Sequence, residues 1–369
     1  MAIFHKRIGS KKYYFNDTSF NLLMQKRIVN VLLLCSKYDA FMIEEDGRID
    51  EQIFIEYVSL NLRYPPIFIQ ASTNERAFQI LREKSIDLIV VMPNTGNFDV
   101  FELAKDIKLG YPNKPIVVLT PFSREVTLKL GKENLSMIDY VFCWLGNADI
   151  LLAAIKLIED RMNADFDVNE IGVQAILLVE DSIRYYSSYL PNIYKIIFKQ
   201  SKAFMTEGMN EHQMTMRMRG RPKILLATNY EEAIQVYEKY KNNLLGIISD
   251  ISYCRNGEMD NQAGLRLCEK VKSDDSTLTF LLQSSDSENE KIANDLGAGF
   301  LNKYSKTLSI ELRDFIIQHF AFGDFIFRDP DTKAEITRAH DLQALQNKIL
   351  DVPDKSLEYH IKRNHFSKW

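Results

Sequence analysis

The sequence predicts an α/β protein that contains two parallel five-stranded sheets. Three observations support this fold class. Short apolar runs alternate with amphipathic stretches, as expected when buried parallel strands are each followed by a helix. A series of five such runs occurs twice along the chain. The length of 369 residues also exceeds that of one ordinary domain and favours two or three.

The predicted strands are the short apolar runs of each half, taken in chain order. In the first half they are residues 29–34 (VNVLLL), 67–70 (IFIQ), 88–92 (LIVVM), 116–120 (IVVLT) and 140–143 (YVFC). In the second half they are residues 175–179 (AILLV), 224–227 (ILLA), 244–249 (LLGIIS), 278–282 (LTFLL) and 299–301 (GFL). The chain therefore contains an internal repeat with a period much longer than that of a solenoid.

The two halves meet at residues 159–170 (EDRMNADFDVNE), a polar and acidic stretch that we take as the domain boundary. After His319 the pattern changes, because Gly323 and Pro330 interrupt it. The segments EITRAHDLQALQNKIL and KSLEYHIKRNHFSKW are then predicted as two charged helices without strands. The predicted organisation is an N-terminal arm, a first domain, a second domain and a helical connector or tail, at residues 1–25, 26–165, 170–322 and 323–369.

Composition limits the possible partners and the compartment. Lys and Arg number 46 against 50 Asp and Glu, so the net charge of −4 provides no overall field that attracts nucleic acid or an acidic membrane. The basic run 216–223 (MRMRGRPK) is predicted as a solvated loop, and His360 and His365 as solvated side chains. The absence of a long apolar run and of metal-like cysteine spacing favours a cytoplasmic protein without disulfides. The cysteines are Cys35, Cys143, Cys254 and Cys268.

Chemistry-bearing side chains follow the strands of the second half. Glu180 and Asp181 come directly after its first strand, Asp250 after the third and Lys303 after the fifth. Open parallel sheets place their sites at this end of the strands. One strand-end acid alone more often caps a helix, but three carboxylates together repel one another and require a cation. Oxygen ligands of this kind suit Mg²⁺.

Through these residues the segment from about residue 174 to residue 319 resembles the receiver domain of two-component response regulators. The motifs are the acidic pair of LLVEDS, the aspartate of GIISD, the hydroxyl of FLLQSS and the lysine of GAGFLNK. The resemblance implies flavodoxin-like (βα)₅ domains and a phosphoryl donor that is a histidine kinase or a phosphotransfer protein. It further implies that Asp250 is the phosphoacceptor, that Lys303 and Ser284 contact the phosphoryl group, and that Phe300 is the switch aromatic. The implied Mg²⁺ ligands are Glu180, Asp181, Asp250 and the backbone carbonyl of Ser252.

The second half departs from the family pattern in three places. The loop after Asp250 is long and lacks proline, and Gly264 comes fourteen residues after Asp250. Tyr304 follows Lys303 where the family usually has proline. Ser285 could also take the role assigned to Ser284. These differences concern access to the aspartate and the geometry around the lysine.

The first half lacks the residues of the resemblance. Cys35 and Ser36 stand where the acidic pair would be, Met92 where the phosphoacceptor would be, and Cys143 or Trp144 where the lysine would be. Thr120 retains the hydroxyl. Because Cys, Met and Trp cannot bind a hard cation, we interpret this half as a receiver-like domain without phosphoryl chemistry. Cys35 and Cys143 are more typical of small apolar core residues than of a redox pair.

The function expected from the sequence is signal reception and not catalysis, with phosphorylation of Asp250 changing an output surface at residues 288–294, 299–303 and 309–319. The alternative is an adaptor or scaffold in which neither half is phosphorylated. The tail segments FGDFIFRDP and RNHFSKW weakly resemble the region that precedes a pyruvate phosphate dikinase-like catalytic part in larger proteins. That resemblance implies a fused phosphoenolpyruvate synthase-like activity outside this chain or a separate output protein. A homodimer is possible.

Overall fold

The structure is a computed structural model of the chain. It describes residues 22–44, 48–60, 62, 64–93, 100–121, 135–144, 148–203, 218–320, 322–332, 334–340, 342–362 and 365–368. Within these ranges, no helix combines the length and the apolar character that crossing a membrane requires.

The first half is a parallel sheet whose strands are joined by helices. Its strands are β1 (Asn30–Leu34), β2 (Ile67–Ala71), β3 (Leu88–Val91), β4 (Ile116–Pro121) and β5 (Tyr140–Trp144), in the spatial order β2-β1-β3-β4-β5. Its helices are α1 (Lys37–Ile43), α2 (Ile49–Ser59), α3 (Asn74–Glu83), α4 (Val100–Gly110) and α5 (Asp149–Ala164). Helix α5 continues as a π-helical segment at Asp165–Glu170.

The second half repeats this order. Its sheet contains β6 (Ala175–Val179), β7 (Lys223–Ala227), β8 (Leu244–Asp250), β11 (Thr279–Ser284) and β12 (Gly299–Asn302), in the order β12-β11-β8-β6-β7. Its helices are α6 (Ile183–Ala203), α7 (Tyr230–Tyr240), α8 (Ala263–Asp274), α9 (Asn289–Asp295) and α10 (Leu308–His319). The loop after β8 contains a short hairpin of β9 (Tyr253–Arg255) and β10 (Glu258–Asp260).

The predicted fold class is confirmed, because all ten predicted strands are present and all pairs within the two large sheets are parallel. If the five sheet strands of each half are numbered 1 to 5 along the chain, both sheets have the spatial order 2-1-3-4-5, the second being read from β7 to β12. The first and fifth strands are consequently separated by the third and fourth.

The tail contains the predicted helices but also two strands that the sequence analysis missed. Strands β13 (Phe325–Arg328) and β14 (Glu335–Ala339) form an antiparallel hairpin, and helices α11 (Leu342–Lys348), α12 (Asp354–Lys362) and α13 (His365–Lys368) follow. The prediction that EITRA begins a helix was wrong. A cluster of buried apolar residues joins the hairpin to α11 and the turn after it, namely Phe325, Phe327, Ala339, Leu345 and Val352.

The halves share one hydrophobic core instead of meeting at a solvated linker. Helix α5 is buried along most of its length, its charged residues Lys156, Glu159 and Asp160 included, as expected for a helix packed on several sides. It contacts both β7 and α6 of the second half. Helix α6 in turn covers the outer edge of β5, where the Ser187 hydroxyl accepts a bond from Cys143 N (2.9 Å) and Tyr186 donates to the Val141 carbonyl. Each half therefore covers an open strand edge of the other.

The acidic boundary segment and the basic run before β7 form a buried ionic network. Arg221 contacts Asp160 through both terminal nitrogens (2.8 and 3.0 Å), and Lys223 lies 2.9 Å from Asp167. All four residues are at most 3% exposed. The prediction that the basic run is a solvated loop was therefore wrong for Arg221 and Lys223.

Candidate functional site

The carboxyl ends of β6 and β8 bring three acidic residues of the second half together. Glu180 and Asp181 follow β6, and Asp250 is the last residue of β8. Because Val179 pairs with Ser249, Glu180 and Asp250 occupy corresponding positions on neighbouring strands. One carboxylate oxygen of each of the three acids lies within 4.8 Å of the others, and together they are a group that could hold a metal ion.

Lys303 lies directly against two of these acids. Its Nζ is 2.7 Å from Glu180 Oε2 and 2.7 Å from Asp250 Oδ2. It reaches this position because Asn302 pairs with Ser284 at the end of β12, and Lys303 N donates to the Ser284 carbonyl (2.8 Å). When all four groups are ionised, three carboxylates and one ammonium group give the cluster a net charge of about −2.

Burial changes the protonation of the acids. Desolvation raises the pKa of Glu180, and the neighbouring Asp250 charge adds to the increase while Lys303 opposes it. Desolvation, together with the charge of Asp250, raises the pKa of Asp181 to about 6. Burial by itself lowers the pKa of Lys303, but the carboxylates of Glu180 and Asp250 outweigh it, so that its pKa is raised. A further cation beside the acids would favour their ionised forms.

The remaining predicted site residues lie around the acids. Ser284 is the last residue of β11, is 8% exposed, and accepts bonds from Asp286 N and Asn289 Nδ2 (both 3.1 Å). Ser285 is exposed. Phe300 on β12 is partly buried and packs against the core of the second half. The Ser252 hydroxyl donates to the Asn261 carbonyl (3.4 Å), and a role of its backbone carbonyl stays a prediction.

The structure adds aromatic residues of α6 that the sequence analysis missed. The Lys303 ammonium lies 4.3 Å from the ring centroid of Tyr185, and Tyr185 stacks on Tyr189 with centroids 5.9 Å apart. The Tyr189 hydroxyl is buried, and none of the described residues lies within hydrogen-bond distance of it. A run of tyrosines at helical spacing after an acidic pair is an ordinary core pattern, so the sequence carries no distinctive signal for these contacts.

The long loop after Asp250 is ordered by its hairpin. Asn256 and Gly257 connect β9 to β10 with positive φ angles of 53° and 81°, which an Asn-Gly turn of type I′ requires. Asn256 N donates to Glu231 Oε1 of α7 (2.9 Å). The loop ends where Gly264 packs on the backbone of Asp250, and a Cβ at Gly264 would lie 2.0 Å from the Asp250 carbonyl oxygen.

In the first half, the register places nonpolar residues at the positions of the site. Leu34 pairs with Val91, so Cys35 and Met92 correspond to Glu180 and Asp250; they are 6% and 5% exposed. Thr120 pairs with Cys143 as Ser284 pairs with Asn302, which makes Trp144 the counterpart of Lys303. Ser36 caps α1 by accepting a bond from Asp39 N (3.0 Å). Burial, aided by nearby acids, raises the pKa of Cys35 to about 12, which keeps its thiol protonated.

His360 of the tail is buried and His365 is half-buried, contrary to the sequence prediction that both are solvated. His360 is 2% exposed, its Nε2 accepts a bond from Arg328 N (3.0 Å), and its Nδ1 lies 2.9 Å from His365 Nδ1. Because Nε2 accepts, the proton of a neutral His360 resides on Nδ1 and donates to His365. A hydrogen-bonded pair accounts for this geometry, and Nδ1 of His360 then has no lone pair for a metal.

No protein-family model and no curated protein matches the sequence. Each half has the flavodoxin-like fold, as its strand order shows. The similar solved structures include a signal receiver domain of an HD domain-containing protein from Pseudomonas fluorescens Pf-5, at 18% identity and a TM-score of 0.27, covering 38% of this chain and 93% of that one.

Two further solved structures are described as a probable and a putative two-component system response regulator/GGDEF domain protein. Each is 15% identical, with TM-scores of 0.29 and 0.30, and the matches cover 77% of this chain and 96% of those chains. Matches at this level carry no argument about activity. The fold assignment rests on strand order and register, and any function has to be argued from the site.

Proposed function

We propose that the second half is a phosphoryl-accepting receiver whose acceptor is Asp250. The observation that carries this proposal is the cluster of Glu180, Asp181 and Asp250, with Lys303 Nζ 2.7 Å from two of the carboxylates. Structural ion pairs balance their charges, whereas this cluster is acidic and lies at the strand ends where such sheets bind ligands. A surplus of negative charge at that place fits a site completed by a cation.

The proposed reaction moves one phosphoryl group. A carboxylate oxygen of Asp250 attacks the phosphorus of a phosphohistidine, an O–P bond forms, the P–N bond breaks, and the imidazole leaves with its electron pair and takes up a proton. Negative charge on the transferring group is stabilised by Lys303 and by a hydrogen bond from Ser284. Asp250 Oδ1 already accepts a bond from Ile251 N (2.7 Å), which holds the carboxylate in a fixed orientation.

The donor set fits Mg²⁺. Glu180, Asp181 and Asp250 supply carboxylate oxygens only, and the backbone carbonyl of Ser252 would add a fourth oxygen. When bound, Mg²⁺ would neutralise charge on the phosphoryl oxygens. The residues of this chain then have the tasks of orienting the acceptor and of keeping the acids ionised.

The first half is proposed to be a receiver fold without phosphoryl chemistry. In support, Cys35, Met92 and Trp144 occupy the register positions of Glu180, Asp250 and Lys303. A buried protonated thiol and a thioether are poor ligands for a hard cation. The role that remains for this half is structural, because it covers α6 and the edge of β7.

The partners belong to the same proposal. The donor would be a histidine kinase or a phosphotransfer protein of the cytoplasm. The output surface would be α9, β12 and α10, with Phe300 as the residue whose packing changes after phosphorylation. The tail follows α10 directly, so a change there would be transmitted to a partner protein or to a fused catalytic part resembling pyruvate phosphate dikinase.

The test is incubation of the full chain with acetyl phosphate and Mg²⁺, followed by intact mass measurement. We expect one added phosphoryl group in the natural protein, loss of the adduct in Asp250→Asn, and retention in Met92→Ala. Loss of the adduct on chelation of Mg²⁺ is also expected. If the natural protein takes up no phosphoryl group, the adaptor function is the better account.

A further inference from the structure

Two polar side chains near the acidic cluster are buried and have no hydrogen-bond partner within the part of the chain that the structure describes. The hydroxyl of Tyr189 has none, and neither the nitrogen nor the oxygen of the Gln283 amide has one. Tyr189 is 4% exposed and Gln283 is 0% exposed, so bulk water does not replace the missing bonds. A buried polar group without a partner lowers the free energy of unfolding, and its presence in a natural protein calls for an explanation.

Both groups lie on the same side of the sheet as the site. Gln283 pairs in register with Asp250, and its neighbour two residues earlier, Leu281, belongs to the core that α6 covers. Tyr189 lies in that core and stacks on Tyr185, over whose ring the Lys303 ammonium sits. An unbroken series of contacts thus connects the Tyr189 ring with Lys303 and Glu180.

Glu180 is satisfied through Lys303, whose Nζ is 2.7 Å from Oε2. A cation bound by Glu180 and Asp250 competes for the same carboxylate oxygens, and Lys303 is also the group expected to contact a phosphoryl on Asp250. In that state Glu180, which is fully buried, loses its bond to the ammonium. The lone pairs of this carboxylate that the cation does not use can then accept a hydrogen bond from a donor inside the protein.

We propose that Tyr189 is a positioning residue whose hydroxyl donates to the Glu180 carboxylate when Lys303 leaves it. Burial, together with the charges of Glu180 and Asp250, raises the pKa of Tyr189 above its ordinary value, so the hydroxyl remains protonated and able to donate. The resting protein then carries an unsatisfied group that is satisfied only in the metal-bound or phosphorylated state. This inference rests on the proposed receiver function.

The experiment compares Tyr189→Phe with Tyr186→Phe in the full chain. Tyr186 is the matched control, because it lies on the same helix and is equally buried but its hydroxyl already donates to the Val141 carbonyl. Without Mg²⁺, Tyr189→Phe should raise the melting midpoint by about 2 °C, because an orphaned hydroxyl is removed, and Tyr186→Phe should lower it. Gln283→Met, which removes the other orphaned group, should raise the midpoint as well.

The second measurement is Mg²⁺ affinity by calorimetry, with the acetyl phosphate adduct followed by intact mass. Tyr189→Phe should bind Mg²⁺ about fivefold more weakly and lose its phosphoryl group faster than the natural protein. The inference about Tyr189 would be overturned, and the proposed function left standing, by either of two results. One is a lower melting midpoint in Tyr189→Phe; the other is a natural protein that binds Mg²⁺ and a Tyr189→Phe variant that binds it equally well. A natural protein that binds neither Mg²⁺ nor phosphoryl would remove the proposed function, and this inference with it.

Discussion

Asp181 and Glu180 are adjacent in the chain but differ in their surroundings. Asp181 is partly exposed, and burial beside Asp250 raises its pKa to about 6. Glu180 is fully buried, and its pKa is raised although Lys303 lies against it. Because both pKa values are raised, the two acids hold protons at a pH where ordinary carboxylates are ionised. The proton is consequently a competitor of any metal at this site.

The pH dependence of Mg²⁺ affinity follows from this competition. The raised pKa of Asp181 means that its carboxyl stays neutral up to a pH of about 6, so Mg²⁺ affinity should weaken as the pH falls through about 6. One bound proton makes the loss about tenfold per unit of pH below that point, and titration calorimetry at several pH values should detect proton release on binding. In Asp181→Asn the slope near pH 6 should be shallower. Equal affinity at about pH 5 and about pH 7 in the natural protein would contradict the prediction.

At the scale of elements, the loop after Asp250 depends on one close approach. Gly264 lies in the first turn of α8, and its Cβ position is 2.0 Å from the Asp250 carbonyl oxygen and 2.8 Å from Ile251 Cα. Both neighbours are backbone atoms, which cannot rotate away. Any side chain at this position has to displace the end of β8, where Asp250, the proposed acceptor, is located.

Gly264→Ala should therefore damage both stability and the site. We expect a loss of about 2 kcal/mol or more in the free energy of unfolding, measured with denaturant, together with slower phosphorylation by acetyl phosphate. Gly110→Ala is the control, because no described atom beyond its chain neighbours and its own helix backbone lies within 4 Å of that Cβ position, and it should be neutral or slightly stabilising. Equal effects of the two substitutions would show that the contact at Asp250 is unimportant.

The elements also show what the sequence could predict. All ten sheet strands were recognisable, because buried parallel strands are continuous apolar runs such as AILLV and LIVV. Hairpin β9–β10 was missed although its Asn-Gly turn is a known signal, since each strand has only three residues. The tail strands FIFR and EITRA were missed for a similar reason: EITRA is polar enough to match a charged helix, and only pairing with FIFR makes it a strand.

The candidate site was predicted for its charged residues and not for the aromatic ones. Glu180, Asp181, Asp250 and Lys303 each follow or end a strand, and the carboxyl ends of parallel strands meet at one edge. Tyr189 and Gln283 could not be selected, because their significance depends on missing hydrogen bonds. Such an absence is a property of packing and leaves no pattern in the chain.

At the scale of the whole molecule, the ionic network makes the two halves one structural unit. Three acids and three bases are buried together, and their formal charges cancel: Glu159, Asp160, Asp167, Lys156, Arg221 and Lys223. Backbone groups of the N-terminal segment join the network, since Ile28 N donates to Glu159 Oε1 (3.0 Å). Composition reveals only near-neutrality, whereas the pairing of residues about sixty positions apart requires the folded chain.

Removing one base from this network should destabilise both halves together. Arg221→Met leaves Asp160 buried without its guanidinium, which should cost about 3 to 5 kcal/mol in the free energy of unfolding. The loss should appear as one cooperative transition, because the halves also share a core through α5 and α6. Denaturant unfolding with hydrogen exchange at β1 and β8 amides would follow the first and second halves separately, and both midpoints should fall by the same amount.

Arg313→Met, which removes an exposed ion pair with Asp314, is the control and should change either midpoint little. Two separate transitions, or a shift confined to one half, would mean that the network does not couple the halves.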